Sequence, residues 1–128
     1  MTATTLRTER LVLRRWTAAD RDAVRALNAD PAVMATIGPV MSSEQSDAAM
    51  ARWDASFDEH GFGLWCVDLA GECIGFTGLS LPWFRDGVEV GWRIRSEHWG
   101  HGYAPEAARA ALAFGFHEIG LDEILSFT

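Results

Sequence analysis

The segment from residue 88 to residue 128 constrains the fold most, because it combines a strand, a glycine-rich loop, a helix and a second strand. The first strand has alternating apolar residues, which predict one buried face: Val88, Val90, Trp92 and Ile94. Ala104-Pro105-Glu106 predicts a helix start, since proline and acidic residues are favoured in the first turn. The helix is expected to end at Gly120, and residues 123–128 are expected to form a parallel strand reached by a right-handed crossover.

The preceding residues predict five further elements and one long loop. The expected strands and helices are Arg10–Arg14, Ala18–Ala29, Ser42 to about Phe57, Leu64–Leu69 and Glu72–Leu81. Residues 32–41 are expected to be a loop, and Ala70-Gly71 is typical of an antiparallel hairpin turn. The element order is β-α-α-β-β-β-α-β. It predicts a mixed α/β (α+β) fold in a single domain over residues 1–128, with helices on both faces of a mixed sheet.

The composition excludes several classes of protein. No apolar run reaches the roughly 18 residues of a membrane span, and the first 11 residues lack the apolar core of a signal peptide. A cytoplasmic location is the simplest expectation. The chain has 11 basic residues, all of them arginine, against 18 acidic ones, for a net charge of −7. General nucleic-acid binding is therefore not expected, because neutralising phosphates needs a basic surface.

The charge is unevenly distributed along the chain. Residues 26–60 contain one arginine and six acidic residues, which favours a cationic partner. Residues 93–109 contain three arginines, two glutamates and two histidines, which favours an anionic partner. A solvated acidic surface without a partner is the alternative interpretation of the acidic segment.

The chain has two cysteines, Cys66 and Cys73, on the two strands of the predicted hairpin. In the expected register Cys66 lies opposite Gly75 and Cys73 opposite Asp68. The two thiols are then diagonal neighbours, roughly 7–8 Å apart, which is too far for easy bridging. We expect both to be buried free thiols.

The loop between the predicted strand and helix has the composition of a phosphate-binding turn. Gly100 and Gly102 allow a tight turn and close approach of a ligand, and the next helix directs its free N–H groups to the same place. A Walker loop is excluded because the chain has no lysine. A dinucleotide-binding fingerprint would need glycine where Pro105 stands, in a larger domain. The remaining interpretation is that this is the pyrophosphate-binding loop of an enzyme that uses an acyl-coenzyme A (acyl-CoA).

Five segments in the same order resemble the GNAT superfamily of N-acetyltransferases, and within it the RimJ/RimL-type branch. The segments span essentially the whole chain: Thr8-Glu9-Arg10-Leu11-Val12-Leu13-Arg14, Gly75-Phe76-Thr77-Gly78-Leu79, Glu89-Val90-Gly91-Trp92-Arg93-Ile94, Trp99-Gly100-His101-Gly102-Tyr103-Ala104-Pro105-Glu106-Ala107 and Gly120-Leu121-Asp122-Glu123-Ile124. The resemblance implies a GNAT-like sheet whose splayed strands hold CoA. It also implies that the family's usual C-terminal helix and hairpin are absent here.

The resemblance also implies where the cofactor lies. The strand would carry a bulge at Gly91 and diverge from the last strand, and pantetheine would pair with the backbone of Trp92, Arg93 and Ile94. Pyrophosphate would bind the amides of the glycine loop: Trp99, Gly100, His101, Gly102, Tyr103 and Ala104. The side chains of Arg93, Arg95 and His101 would add positive charge, and no metal is expected.

Glu89 is the predicted catalytic residue. A protonated amine must lose a proton before it attacks a thioester, and Glu89 lies on the strand beside the expected acyl position. The alternative is that Glu89 pairs with an arginine such as Arg93, or caps the strand edge. His98 and His101 lack further ligands for a zinc site. Trp83 and Phe84 are predicted to line a substrate pocket or an interface.

These features predict an acetyl-CoA-dependent N-acetyltransferase. It would transfer the acyl group directly to a primary amine, either a protein N-terminus or a small cationic amine such as a polyamine or an aminoglycoside. The alternative is a non-catalytic or truncated acyl-CoA-binding domain that a partner chain completes. A homodimer formed through the last strand is one version of that alternative.

Overall fold

The computed structural model describes residues 4–82 and 86–126. Its strands are β1 (Leu6–Arg7), β2 (Val12–Arg14), β3 (Leu64–Leu69), β4 (Glu72–Ser80), β5 (Glu89–Ile94) and β6 (Leu125–Ser126). Its helices are α1 (Arg21–Ala29), α2 (Pro31–Met34), α3 (Ser43–His60) and α4 (Tyr103–Phe114). Short 3-10 turns cover Ala18–Asp20 and Ser96–His98, and a π-helical turn, Gly115–Ile119, extends α4. No helix in these ranges is long and apolar enough to cross a membrane.

The six strands form one mixed sheet in the order β1-β2-β3-β4-β5-β6. All neighbours are antiparallel except β5 and β6, which are parallel and are joined through α4. The predicted mixed α/β architecture is therefore confirmed. The predicted last strand is described only as far as Ser126, since residues 127 and 128 lie outside the described ranges.

Local sequence determines where the long helices begin and end. Ser42 caps α3 by accepting a hydrogen bond from the Gln45 N–H at 3.1 Å, and the Gln45 side chain accepts one from the Ser42 N–H at 2.9 Å. This reciprocal pair satisfies two N–H groups that have no partner inside the helix. Gly61 ends α3 and Gly120 ends the α4 extension, both with left-handed backbone at φ +78° and +83°.

Two short elements were not predicted. Residues 32–41 were expected to be a loop, but α2 lies at their start, where Pro31 occupies the first turn and Asp30 caps it by accepting from the Ala32 N–H at 2.9 Å. Strand β1 forms a small hairpin with β2, closed by a bond from the Thr8 N–H to the Leu11 carbonyl at 2.9 Å. Such short segments depend on tertiary contacts rather than on periodicity.

The sheet is covered on both faces, as predicted. One hydrophobic cluster joins α4 to the sheet through residues such as Ile74, Leu79 and Ala111. The other joins α1, α2 and α3 to the opposite face, and Trp16 and Phe76 belong to it. We call these the α4 face and the α1 face. The candidate site lies along β5, beyond the residues that pack in the two clusters.

The predicted register of the β3–β4 hairpin is wrong by one residue at Cys66. A shift between Val67 and Asp68 places Cys66 opposite Phe76, although Cys73 faces Asp68 as expected. The two sulfur atoms lie within 4.8 Å of each other. Both cysteines are buried and free, which confirms that prediction. The neighbouring Cys73 thiol and burial raise the pKa of Cys66.

Candidate functional site

Strand β5 presents different side chains on its two faces. Val90 and Ile94 pack in the cluster on the α4 face. Because side chains alternate along a strand, Glu89, Gly91 and Arg93 point to the α1 face. A Cβ atom at Gly91 would meet no atom of residues 4–82 and 86–126 within 4 Å, so this part of the structure leaves an opening between Glu89 and Arg93.

The bulge predicted at Gly91 is wrong. The ladder between β4 and β5 is unbroken over all six residues of β5. Gly91 lies opposite Gly78, and its carbonyl accepts a hydrogen bond from the Thr77 hydroxyl at 3.0 Å, which holds the strand in register. The described part of β6 pairs only with the first two residues of β5. In the residues described, the two strands are therefore paired only at the start of β5.

The glycine loop forms an array of free N–H groups at the start of α4. Gly100 and Gly102 have left-handed backbone, with φ of +84° and +79°, which glycine adopts without a side-chain clash. Helix α4 begins at Tyr103, so its first N–H groups lack helical acceptors. In the described part of the chain, no N–H of residues 100–104 donates a hydrogen bond to protein. Such an array can bind an anion.

A polar clamp holds this loop against the N-terminal hairpin. Glu106 accepts hydrogen bonds from Thr8 Oγ1, from the Arg10 N–H at 2.9 Å and from Arg10 Nε at 2.7 Å. Arg10 also donates to the His101 carbonyl at 2.9 Å and lies 4.5 Å from the centre of the Tyr103 ring. Desolvation raises the pKa of Glu106, but the hydrogen bonds from Thr8 and Arg10 outweigh it and hold that pKa below its usual value.

A groove of about 280 Å³ connects the edge of β5 to the glycine loop. It is lined by Val33, Ile37, Trp92, Arg93, Ile94, Trp99 and Ala104. Three of these apolar side chains are exposed: Ile37 at 50%, Trp92 at 44% and Trp99 at 51%. The Trp99 indole N–H donates to the Ile94 carbonyl at 2.8 Å, which fixes the ring at the end of the strand. The groove suits a ligand that is apolar along β5 and anionic at the loop.

Arg93 places a guanidinium group in a largely apolar environment. It lies 4.9 Å from the centre of the Phe76 ring, and its Nη1 donates to Asn28 Oδ1 at 2.7 Å. Asn28 is completely buried, and its Nδ2 donates to Ser46 Oγ at 3.0 Å. Among residues 4–82 and 86–126, the buried Arg93 Nε has no hydrogen-bond partner. Burial lowers the pKa of Arg93.

The other predicted site residues have simpler surroundings. Glu89 is half-buried, and its side chain makes no hydrogen bond or ion pair with the residues described. The alternative pairing of Glu89 with Arg93 is not observed, since Arg93 bonds to Asn28. Arg95 pairs with Glu72 and Glu97, so its charge is neutralised locally. His101 is exposed, and Trp83 and Phe84 lie outside the described residues.

Much of the charge in the acidic segment, residues 26–60, is neutralised by arginines outside it. Arg15 pairs with Asp54 and Asp58, both at 2.9 Å, and Arg25 pairs with Asp47 at 2.6 Å. These pairs weaken the sequence-based argument for a cationic partner, because a count of charges along a segment ignores partners distant in sequence.

A partly buried ion-pair cluster lies on the α1 face at the other end of the sheet. Arg14 donates to both carboxylate oxygens of Asp20 at 2.9 Å and to Asp68 at 2.8 Å. Potential ligand atoms of Asp20, Cys66 and Cys73 lie within 4.8 Å of one another. Because the Arg14 guanidinium already occupies both Asp20 oxygens, a cation there would face an adjacent positive charge. We therefore assign the cluster a structural role.

Comparison with known proteins identifies the family. The family model described as an acetyltransferase (GNAT) domain matches residues 10–128. The chain belongs to the GNAT acetyltransferase domain family. The predicted superfamily is thereby confirmed, whereas the RimJ/RimL branch stays a prediction.

Individual relatives agree with this GNAT assignment. An FsC-acetyl coenzyme A-N(2)-transacetylase from Aspergillus fumigatus is 32% identical over 97% of this chain, which spans 57% of that protein. The crystal structure of an acetyltransferase from Agrobacterium tumefaciens matches 100% of this chain and 75% of its own length, with a TM-score of 0.90 and 32% identity. A RimL ribosomal L7/L12 acetyltransferase bound to CoA has a TM-score of 0.77 over 96% of this chain and 73% of its own, but at 12% identity it shows the fold alone.

Two features of this GNAT domain were not predicted from the sequence. Arg93 was expected to pair with pantetheine through its backbone and to add positive charge with its side chain, but Asn28 was not identified as the partner of that side chain. One available clue was that Asn28 follows Val24 and Leu27 on the buried side of α1, where a polar side chain needs a partner. Nothing in the sequence indicated the clamp between Arg10 and Glu106, because the two residues are 96 positions apart.

Proposed function

We propose that the protein is an acetyl-CoA-dependent N-acetyltransferase that transfers the acetyl group directly to a primary amine. The observation that carries this proposal is the array of free N–H groups at residues 100–104, located at the end of the groove along β5. A pyrophosphate on that array and a pantetheine arm in the groove account for both features. Membership of the GNAT family supports the same assignment.

In this proposal the backbone of β5 orients the acyl donor. Trp92, Arg93 and Ile94 would pair with pantetheine along the groove, and Trp99 would cover the arm where it turns toward the loop. The acetyl group would then lie near Gly91, where the missing side chain leaves room for an acceptor. Backbone N–H groups of the strand would polarise the thioester carbonyl, as an oxyanion hole does.

Glu89 would serve as the general base. It lies on the α1 face two residues before Gly91, and its carboxylate is not engaged by another described side chain. A free carboxylate can accept the proton of an incoming ammonium, directly or through one water molecule. The amine would attack the thioester carbonyl carbon, the carbon–sulfur bond would break, and CoA would leave as its thiolate.

The test is to compare the wild type with Glu89→Gln in two measurements. Titration calorimetry with acetyl-CoA should give one site per chain in both, with affinities equal within about threefold. Turnover with small primary amines should fall by about a hundredfold or more in Glu89→Gln, the usual contribution of general base catalysis. Glu118→Gln, an exposed change on the α4 extension, is the matched control and should leave both measurements unchanged.

The same experiment separates the proposal from its alternative. A wild-type protein that binds acetyl-CoA but turns over no amine is the result expected of a non-catalytic domain or one completed by a partner chain. Failure of a folded sample to bind acetyl-CoA would contradict both functions. Equal turnover in the wild type and in Glu89→Gln would assign the base to another group.

A further inference from the structure

The α1 face of β5 carries opposite charges on either side of a gap. Glu89, Gly91 and Arg93 are alternate residues, and strand geometry places the first and last α-carbons about 13 Å apart, with Gly91 midway. A Cβ atom at Gly91 would meet no described residue within 4 Å. The strand therefore presents a carboxylate, an opening and a guanidinium in a row.

In the part of the chain that the structure describes, no anion balances the guanidinium of Arg93. Within the described ranges it makes no ion pair, and Nε is buried without a hydrogen-bond partner. Its one polar partner among the residues described is the amide oxygen of Asn28, which bears only a partial charge. A buried charge without a counter-charge is costly, so an arrangement like this is stabilised when an anion binds.

The neighbours of Arg93 fix its guanidinium group in position before such an anion binds. Phe76 lies against one side of the guanidinium at 4.9 Å, and Asn28 is fixed in turn by Ser46. Arg93 also lines the groove together with Val33 and Ile37, so its guanidinium lies beside the proposed path of the pantetheine arm. These apolar neighbours lower the local dielectric constant and strengthen an ion pair formed there.

We propose that Arg93 binds a carboxylate of the substrate, so that the acceptor is an amine that carries a carboxylate close to it, as an amino acid does. This inference rests on the proposed function and narrows its acceptor. The ammonium group would face Glu89 and the carboxylate Arg93, with the reacting nitrogen beside Gly91. A polyamine lacks the anion and would bring a second cation to Arg93.

The same carboxylate chemistry has a second source, the acyl group of a dicarboxylic acyl-CoA such as succinyl-CoA. Its terminal carboxylate would reach the guanidinium from the groove. The acceptor is favoured because Arg93 and Glu89 share one face of the strand, on which the opening at Gly91 lies. The experiment distinguishes the two sources.

The primary test measures binding, so that it does not depend on turnover. Calorimetry in the presence of CoA would compare N-acetylglycine with N-acetylglycinamide, which differ only in the carboxylate. The wild type should bind N-acetylglycine about tenfold to a hundredfold more tightly, the range expected for a charge-assisted hydrogen bond. Arg93→Met should abolish the difference, and Arg93→Lys should retain part of it. Arg21→Met, which removes an exposed arginine at the start of α1, should retain it fully.

The second arm measures turnover with donor and acceptor pairs. Acetyl-CoA should react faster with glycine than with glycinamide or a polyamine in the wild type, and equally in Arg93→Met. If succinyl-CoA is preferred over acetyl-CoA and the preference depends on Arg93, the carboxylate comes from the acyl donor, and the acceptor assignment is overturned.

Equal binding of both N-acetyl ligands to the wild type, or discrimination that survives Arg93→Met, would overturn the proposal for Arg93. Neither result affects the proposed acetyltransferase function, which depends on acetyl-CoA binding and on Glu89.

Discussion

Two arginines on the α1 face have opposite surroundings. Arg14 is bound by Asp20 and Asp68, through three hydrogen bonds of 2.8 to 2.9 Å. Arg93 makes one hydrogen bond to Asn28, with no ion pair among the residues described. The first charge is fully compensated within the fold, whereas the second is compensated only in part.

This difference distinguishes a charge that stabilises the fold from a charge that is available to bind a ligand. Removing one member of a saturated buried pair strands its partner, so the loss appears as lower stability. Removing an unpaired charge strands no opposite charge, so the loss appears in ligand binding instead. The two sites thus predict different responses to equally small substitutions.

The largest expected effect is on stability, at the saturated pair. Asp20→Asn removes two of the three hydrogen bonds from Arg14 to carboxylates and weakens the bond from the Thr17 N–H, and should reduce the free energy of unfolding by about 3 kcal/mol. That corresponds to a melting temperature lower by roughly 10 °C. Urea unfolding and thermal melts measure it. The discrimination between N-acetylglycine and N-acetylglycinamide should be unchanged below the transition.

The pH dependence of stability tests the same pair. Burial raises the pKa of Asp20, but hydrogen bonds from Arg14 and Thr17 outweigh it and leave the pKa lowered from 3.8. The unfolded state therefore binds the proton first, and the stability from Asp20 is present above about pH 4 and lost as the pH falls through the folded value. The gap between the wild type and Asp20→Asn should narrow below pH 4. A gap that is constant with pH would contradict the assigned role.

The next largest expected effect is at the polar clamp on the glycine loop, where the paired Glu106 carboxylate holds a binding site in place. Glu106→Gln weakens the contacts from Thr8 and Arg10 that hold the loop. We expect the KM for acetyl-CoA to rise about fivefold, from the loss of about 1 kcal/mol of loop organisation, with little change in kcat.

A matched control separates organisation from charge at the loop. Glu9→Gln removes the same charge from a neighbouring exposed position and should leave acetyl-CoA affinity equal or slightly tighter, because a negative charge near pyrophosphate has been removed. If Glu106→Gln also tightens binding, the clamp has no positioning role.

The sequence predicted those parts of the molecule that depend on neighbouring residues. The glycine loop, the start of α3 at Ser42 and the αL end of the α4 extension at Gly120 follow from local chemistry, and all were predicted in place or within a residue or two. Strand alternation also predicted that Val88, Val90 and Ile94 are buried together, but Trp92, which was predicted on the same buried face, is 44% exposed.

The remaining features depend on contacts between distant segments. The register shift between Val67 and Asp68 leaves no mark in the residue pattern. The neutralisation of Asp54 and Asp58 by Arg15, about 40 residues away in the chain, is equally invisible to a local charge count. That Arg93 has no ion-pair partner among the residues described becomes apparent only from the three-dimensional contacts, because its hydrogen-bond partner Asn28 is distant in sequence.

The smallest expected effect is the change in stability caused by Arg93→Met. The variant loses the contact with Phe76 and leaves the Asn28 oxygen without its donor, each a cost of about 1 kcal/mol. It also removes a buried charge that has no counter-charge, which offsets most of that cost. The free energy of unfolding should therefore stay within about 1 kcal/mol of the wild type. Urea unfolding of Arg93→Met beside Asp20→Asn measures both. A loss at Arg93 as large as that at Asp20 would mean that both guanidinium groups are structural, and the distinction between the two sites would be wrong.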